Sequence, residues 1–184
     1  MKLAVRSALS AALPLLALVP LLTGAAGPIH PAEPTTDATC STVAHGTFAT
    51  AVAPGGVNTP IANTLDMTGA ITCVDGAGAP LATGTFERTI SMQDSVCTGD
   101  QNGLTSVTTV KWSDGTISNL SFDRVDVQKV AGIASLVVSG RVTDNSARFA
   151  FDTIKGAGSS TGTGCGTPLG ETAVDSTLVL RLTH

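Results

Sequence analysis

The chain reads as a mirror about one turn, and two cysteines close the reflection. Residues Ala53-Pro54-Gly55-Gly56-Val57-Asn58-Thr59-Pro60 are dense in turn formers. Folding the chain back about their centre sets Val52 against Ile61, Phe48 against Leu65, Thr42 against Ile71 and Cys40 against Cys73. Side chains alternate between the two faces of a strand. Cys40 shares parity with Phe48 and Val52, and Cys73 shares it with Leu65, Met67 and Ile71. Both sulfurs are therefore expected opposite each other, on the apolar face of one long hairpin.

Residues 1–26 have the layout of a secretory signal. Lys2 and Arg6 form a short basic region, Ala8 to Leu22 an apolar core, and Gly24-Ala25-Ala26 a small-residue cleavage site. Pro14 and Pro20 interrupt the apolar run, which is short for a membrane span. No cysteine lies near the cleavage point to accept a lipid, so no membrane anchor is expected. The predicted location is outside the cell. There, four cysteines most simply form two disulfides. The hairpin register favours Cys40–Cys73 and leaves Cys97–Cys165, each expected to stabilise by roughly 2–4 kcal/mol. A zinc site is the other use of four cysteines, but no C-x-x-C pair is present.

Without Lys2 and Arg6, the 10 basic residues fall to 8 against 14 acidic ones, a net charge of −6. The remaining basic residues (Arg88, Lys111, Arg124, Lys129, Arg141, Arg148, Lys155 and Arg181) are scattered singly. That distribution argues against a nucleic-acid or anionic-membrane surface. Heavy use of Ala, Gly, Thr and Val with no Tyr points to a GC-rich bacterial source.

Residues 27–39 lack periodicity and read as an extended N-terminal arm, followed by one β domain over residues 40–184. Strands are predicted at Cys40–Val52, Ile61–Val74, Leu81–Met92, Leu104–Trp112, Thr116–Val130, Ile133–Thr143, Ser146–Ile154 and Thr172–Thr183. Phe149 and Phe151 read as an inward pair. Asp114-Gly115 reads as a two-residue hairpin turn that sets Trp112 against Ile117 and Val107 against Phe122. Asp144-Asn145 is a second tight-turn candidate. Apolar parity changes between Leu120 and Phe122 on one side and Val125 and Val127 on the other, so a β-bulge is expected near Asp123-Arg124. Residues 156–170, rich in Gly, Ser and Thr, read as a loop anchored at Cys165. The fold class is all-β: an antiparallel meander of about eight strands, barrel-like or a two-sheet sandwich.

Chemistry is hard to find. His45 lies in the first strand on the outward parity, with Ser41, Asp66 or Asp75 as conceivable triad partners. A G-x-S-x-G elbow and an oxyanion segment are both missing. Turn chemistry accounts for Asp75, Asp114 and Asp144. Asp123 and Asp126 flank Arg124 and read as an exposed ion-pair cluster. Asp94, Asp100 and Asn102 gather near Cys97 without the spacing of a calcium loop. The Gly-rich stretches lack the Lys of a phosphate loop. No catalytic, metal or cofactor-binding residue is assigned. Trp112 is a candidate contact residue, with half-buried packing beside Ile117 as the alternative.

The order of features (signal, Cys40, Cys73, Cys97, the Trp112-Ser113-Asp114-Gly115-Thr116 turn, then Cys165 before a leucine-alternating strand) resembles small secreted β-proteins of actinobacteria without assigned activity. In size, layout and N-terminal arm the chain is more loosely similar to adaptor subunits of streptomycete secreted toxin particles. That similarity implies a partner among larger secreted proteins.

Three functions follow as expectations. The first is a non-enzymatic module that binds another extracellular protein through sheet edges, loops or the arm. The second is a carrier holding a small apolar ligand inside a barrel. The third is a secreted inhibitor or hydrolase; an inhibitor would present the loop at Thr98-Gly99-Asp100 or the loop around Cys165.

Overall fold

The structure is a computed structural model that describes residues 35–184. The signal segment and most of the arm lie outside the described residues. Eight strands follow one another around a closed antiparallel barrel. They are β1 (Thr36–Val52), β2 (Ile61–Val74), β3 (Pro80–Ser95), β4 (Gly99–Trp112), β5 (Ile117–Val130), β6 (Ile133–Val142), β7 (Thr153–Thr163) and β8 (Glu171–Thr183). β8 pairs back on β1, which decides for a barrel over a sandwich. Both expected disulfides form, Cys40–Cys73 in the first hairpin and Cys97–Cys165.

The first hairpin has the mirror pairing from Cys40 opposite Cys73 through Thr42 opposite Ile71 to Phe48 opposite Leu65, but above it Val52 pairs with Glu171 and Ile61 with Ser95 instead of with each other. Inward rows of Cys40, Ile71, Val110, Leu180 and Leu182 build the core. The bulge in β5 is present: pairing with β6 shifts between Phe122 and Arg124. It lets Leu120 and Phe122, then Val125 and Val127, all face inward despite their change of parity.

Loops 75–79, 113–116 and 143–152 close one end of the barrel, called lower here. Loops 53–60, 96–98, 131–132 and 164–170 close the upper end. The upper loops interlock: Gly55 N–H donates to the Pro168 carbonyl, Gly132 N–H to the Cys97 carbonyl, and Cys97 is bonded to Cys165.

Four further expectations are corrected. Residues 36–39 of the supposed arm belong to β1, where Ala38 pairs with Leu182 and is fully buried. The β4–β5 turn has three residues, Ser113 to Gly115, with Gly115 at φ 84° and Trp112 N–H donating to the Thr116 carbonyl. The register therefore slips by one: Lys111 faces Ile117 and Ser106 faces Phe122. A one-residue slip exchanges faces, so Trp112 is buried while Ile117 and Val107 are exposed.

The third correction concerns residues 146–152, which form a loop rather than a strand. Phe149 and Phe151 hold positive φ of 57° and 71°. Phe149 packs edge-on against Trp112, ring centroids 5.8 Å apart, and Phe151 points into solvent. Fourth, β7 runs through the stretch read as a loop. Its inward positions are Ile154, Gly156, Gly158, Ser160 and Gly162. At Gly156 a Cβ would stand 2.6 Å from Leu180 Cδ2, so glycine lets the neighbouring side chains occupy that space. β7 thus brings almost no bulk of its own into the upper interior.

Candidate ligand cavity

The barrel wall is not equally closed all round. β3 and β4 pair only from Gly84↔Trp112 to Glu87↔Thr109, at their lower ends. Above that point β3 stays on β2 as far as Ile61↔Ser95, and β4 stays on β5 as far as Gly99↔Lys129. The two strands therefore part. Two register shifts in β4, between Gln101 and Leu104 and between Leu104 and Ser106, accompany the separation. Gly103, within the first of them, holds φ 71°. Such irregularities bend a strand away from its neighbour. Near the top, the Gln101 side-chain amide donates to the Asp94 carbonyl across the gap.

Behind the gap lies a cavity of about 80 Å³ whose walls include Leu65, Ile90, Met92, Leu104, Val125 and Leu136. A smaller void of about 20 Å³ lies among Ile71, Phe86, Val110 and Phe122. Arg88, Ser176 and Leu178 border both. Arg88 also borders an outer groove with Glu87 and Val107, so it stands at the fork where the wall opens.

Three ionisable side chains reach the cavity region. At its upper end the Lys129 ammonium donates to Glu171 Oε2, and Glu171 is fully buried. Burial pushes the Glu171 carboxyl up, while Lys129 pulls it down. Lys129 also lies over the Phe48 ring, 5.7 Å from its centroid. These two charges cancel. Arg88 is different: its Nε and Nη2 lie 3.4 and 3.2 Å from the Met67 thioether sulfur, a weak acceptor. Among the described residues no carboxylate pairs with it. Desolvation lowers the guanidinium to about 10, so it stays cationic at neutral pH. Around it, the buried hydroxyls of Thr42, Ser106, Thr108 and Ser176 have no hydrogen-bond partner in the protein.

The residues singled out from sequence fall elsewhere. Trp112 is 3% exposed, and its Nε1–H donates to Ser118 Oγ at 2.9 Å. It has no free face for a partner, because the one-residue slip turned it into the core. His45 is exposed on the outer wall, 2.8 Å from Asp175, its cross-strand partner on β8. Asp66 instead accepts from Thr89, and Asp75 accepts from Ala77 and Ala79 in its own turn. Arg124 pairs with Asp126 at 2.7 Å, an exposed contact. Gly99 and Asp100, proposed as part of an inhibitory loop, are strand residues paired with Lys129 and Gln128. The Asn58 side chain clamps the tight turn before them through Cys97 and Thr98.

Two groupings among the described residues have metal-compatible atoms close together: Cys97, Cys165 and Glu171; and Asp37, Asp152 and His184. The first has no thiolate to offer, since both sulfurs are in a disulfide.

Sequence reading passed over Arg88, although the signal was present. It shares parity with Phe86, Ile90 and Met92, so a strand that buries those three must also turn a guanidinium inward. Thr42, Thr108 and Ser176 carry the same mark on the apolar parity of their strands. Comparison of the chain with protein-family models, with curated proteins and with solved structures gives no match. The cavity is therefore read from its own chemistry.

Proposed function

We propose that the barrel binds a small, largely apolar molecule in its upper interior, with the β3–β4 gap as the entrance. The observation that carries this is the position of the apolar cavity, directly behind the stretch of wall where the ladder stops. An eight-stranded barrel is just wide enough for its own side chains or for one small ligand. Here the parted strands leave room for the second. Concave apolar sites with a few converging polar groups are where small molecules bind. A void of about 80 Å³ holds several heavy atoms, and a longer ligand would extend through the gap. Two disulfides support an oxidising environment. With the signal-like N-terminus, they favour a secreted carrier over an intracellular one.

The test is a methyl NMR titration with hexan-1-ol. Saturable shifts at Ile90, Leu104 and Leu136, abolished in Ala134→Phe, are expected, because Ala134 lines the cavity and a ring there fills it. Shifts that never saturate, or that spread equally to the outward Val43 and Val179, would defeat the proposal.

The same gap favours one further reading, protein binding. Above Glu87 and Thr109 the facing edges of β3 and β4 have no ladder between them. Free strand edges accept an added strand. Co-purification of a stoichiometric protein with the tagged chain from culture supernatant supports that reading; a clean monomer sinks it.

A further inference from the structure

Resting on the cavity reading, we propose that the ligand is an apolar monocarboxylic acid, its carboxylate held by Arg88 and its tail in the upper cavity. Charge balance carries the argument. Lys129 and Glu171 neutralise each other, so the cavity region retains one positive charge, on Arg88. Arg88 is half-buried, and a partly desolvated charge without a counter-charge is costly to the fold. Water could satisfy the neighbouring hydroxyls, but it cannot balance a guanidinium.

The geometry favours a carboxylate over other anions. A guanidinium presents a planar fork of donors that matches two carboxylate oxygens. Thr42, Ser106, Thr108 and Ser176 add hydroxyls with unused donors to the walls of the two voids it borders. A single cation matches a monoanion; a phosphate monoester near neutral pH would bring about one extra negative charge into a site with no second free cation among the described residues. Arg88 stands at the junction of the two voids. A head group there places a chain of several carbons among Leu65, Ile90, Met92, Leu104 and Leu136. The neutral alcohol that tests the cavity can fill the same space without engaging the charge.

The experiment compares hexanoate with hexan-1-ol at neutral pH on the full chain, by calorimetry and by the same methyl shifts. Hexanoate is expected to bind at least tenfold more tightly than the alcohol, the worth of one charge-assisted hydrogen bond or more. Arg88→Met should erase that preference while leaving alcohol binding in place, and Arg88→Lys should restore part of it. Intact disulfides on peptide mapping and an unchanged Trp112 emission spectrum establish that the variants are folded. Equal affinity for acid and alcohol in the wild type, or hexanoate binding unaltered in Arg88→Met, overturns the acid assignment and leaves the cavity reading standing. If neither probe binds, both fall together.

Discussion

Arg88 and Met67 are direct cross-strand partners on β3 and β2, and the guanidinium rests on the thioether rather than on a carboxylate. A sulfur accepts hydrogen bonds weakly. Arg88 is therefore expected to destabilise the unliganded barrel, and its removal should show as a gain. Arg88→Met keeps an unbranched, flexible side chain, shorter than arginine, and removes the uncompensated charge. We expect its Tm to rise, by roughly 2–4 °C for each kcal/mol recovered. A fall in Tm, measured by calorimetry without ligand, would mean that the guanidinium contributes to folding through contacts other than Met67.

At the lower end, Ser118 ties three groups together. Its hydroxyl accepts from Trp112 Nε1 at 2.9 Å and from Arg148 N–H at 3.1 Å, and donates to the Arg148 carbonyl at 3.1 Å. Ser118 is fully buried. Ser118→Ala leaves the indole N–H unpaired in the core, a loss of about 1–3 kcal/mol. It also frees the loop that holds Phe149 against the indole. A denaturant midpoint shift at constant m-value, with a changed Trp112 emission, is the expected result. An unchanged midpoint would show that the loop stands without Ser118.

Much of the barrel was legible because disulfide, turn and parity agreed. The mirror at residues 53–60, the inward parity of both cysteines and the leucines of β8 all require the same antiparallel pairing. The misreadings have separate physical causes. Between Trp112 and Thr116, a third turn residue in the left-handed conformation changed the register, and neither Asp114 nor Gly115 signals loop length. The alternation around Phe149 and Phe151 looked like a strand, yet both residues sit at positive φ, Phe149 packed on Trp112 and Phe151 exposed with its N–H donating to the Val142 carbonyl. Glycine in residues 156–162 looked like loop punctuation because its role there is close packing, which a single sequence does not display. The cavity itself arises from a ladder that stops, and no residue pattern marks where a ladder stops.

Gly162 shows how close that packing is. A Cβ built there would overlap the Glu171 carboxylate. Gly162→Ala must therefore shift the Glu171 carboxylate, and we expect the shift to break its contact with Lys129 and leave an ammonium unpaired near the cavity. Breaking a buried ion pair on one side costs about 3–5 kcal/mol, and the lost counter-ion should make the interior a stronger anion site. The variant is expected to unfold at lower temperature while binding hexanoate more tightly. Stability within about 0.5 kcal/mol of wild type, the range of neutral surface changes, would show that Glu171 relocates without loss.

Asp152 supplies a pH dependence whose sign is fixed by its burial. Its carboxyl is 1% exposed as a residue, with Oδ1 3.1 Å from His184 Nδ1 and Oδ2 unpartnered. Desolvation raises its pKa, nearby Asp37 raises it further, and His184 opposes both. A carboxyl with a raised folded pKa holds its proton more tightly folded than unfolded. Its contribution is therefore fully present below the unfolded value, about 3.9, and is lost as pH rises through the folded pKa. Asp152→Asn cannot ionise, so this component disappears. Relative to the variant, the wild type should lose stability as pH is raised from about 4, then level off once Asp152 is ionised. Denaturant melts of the two proteins across that range measure the difference directly. Parallel curves, or a wild type that gains on the variant with rising pH, would mean that His184 outweighs burial at this site.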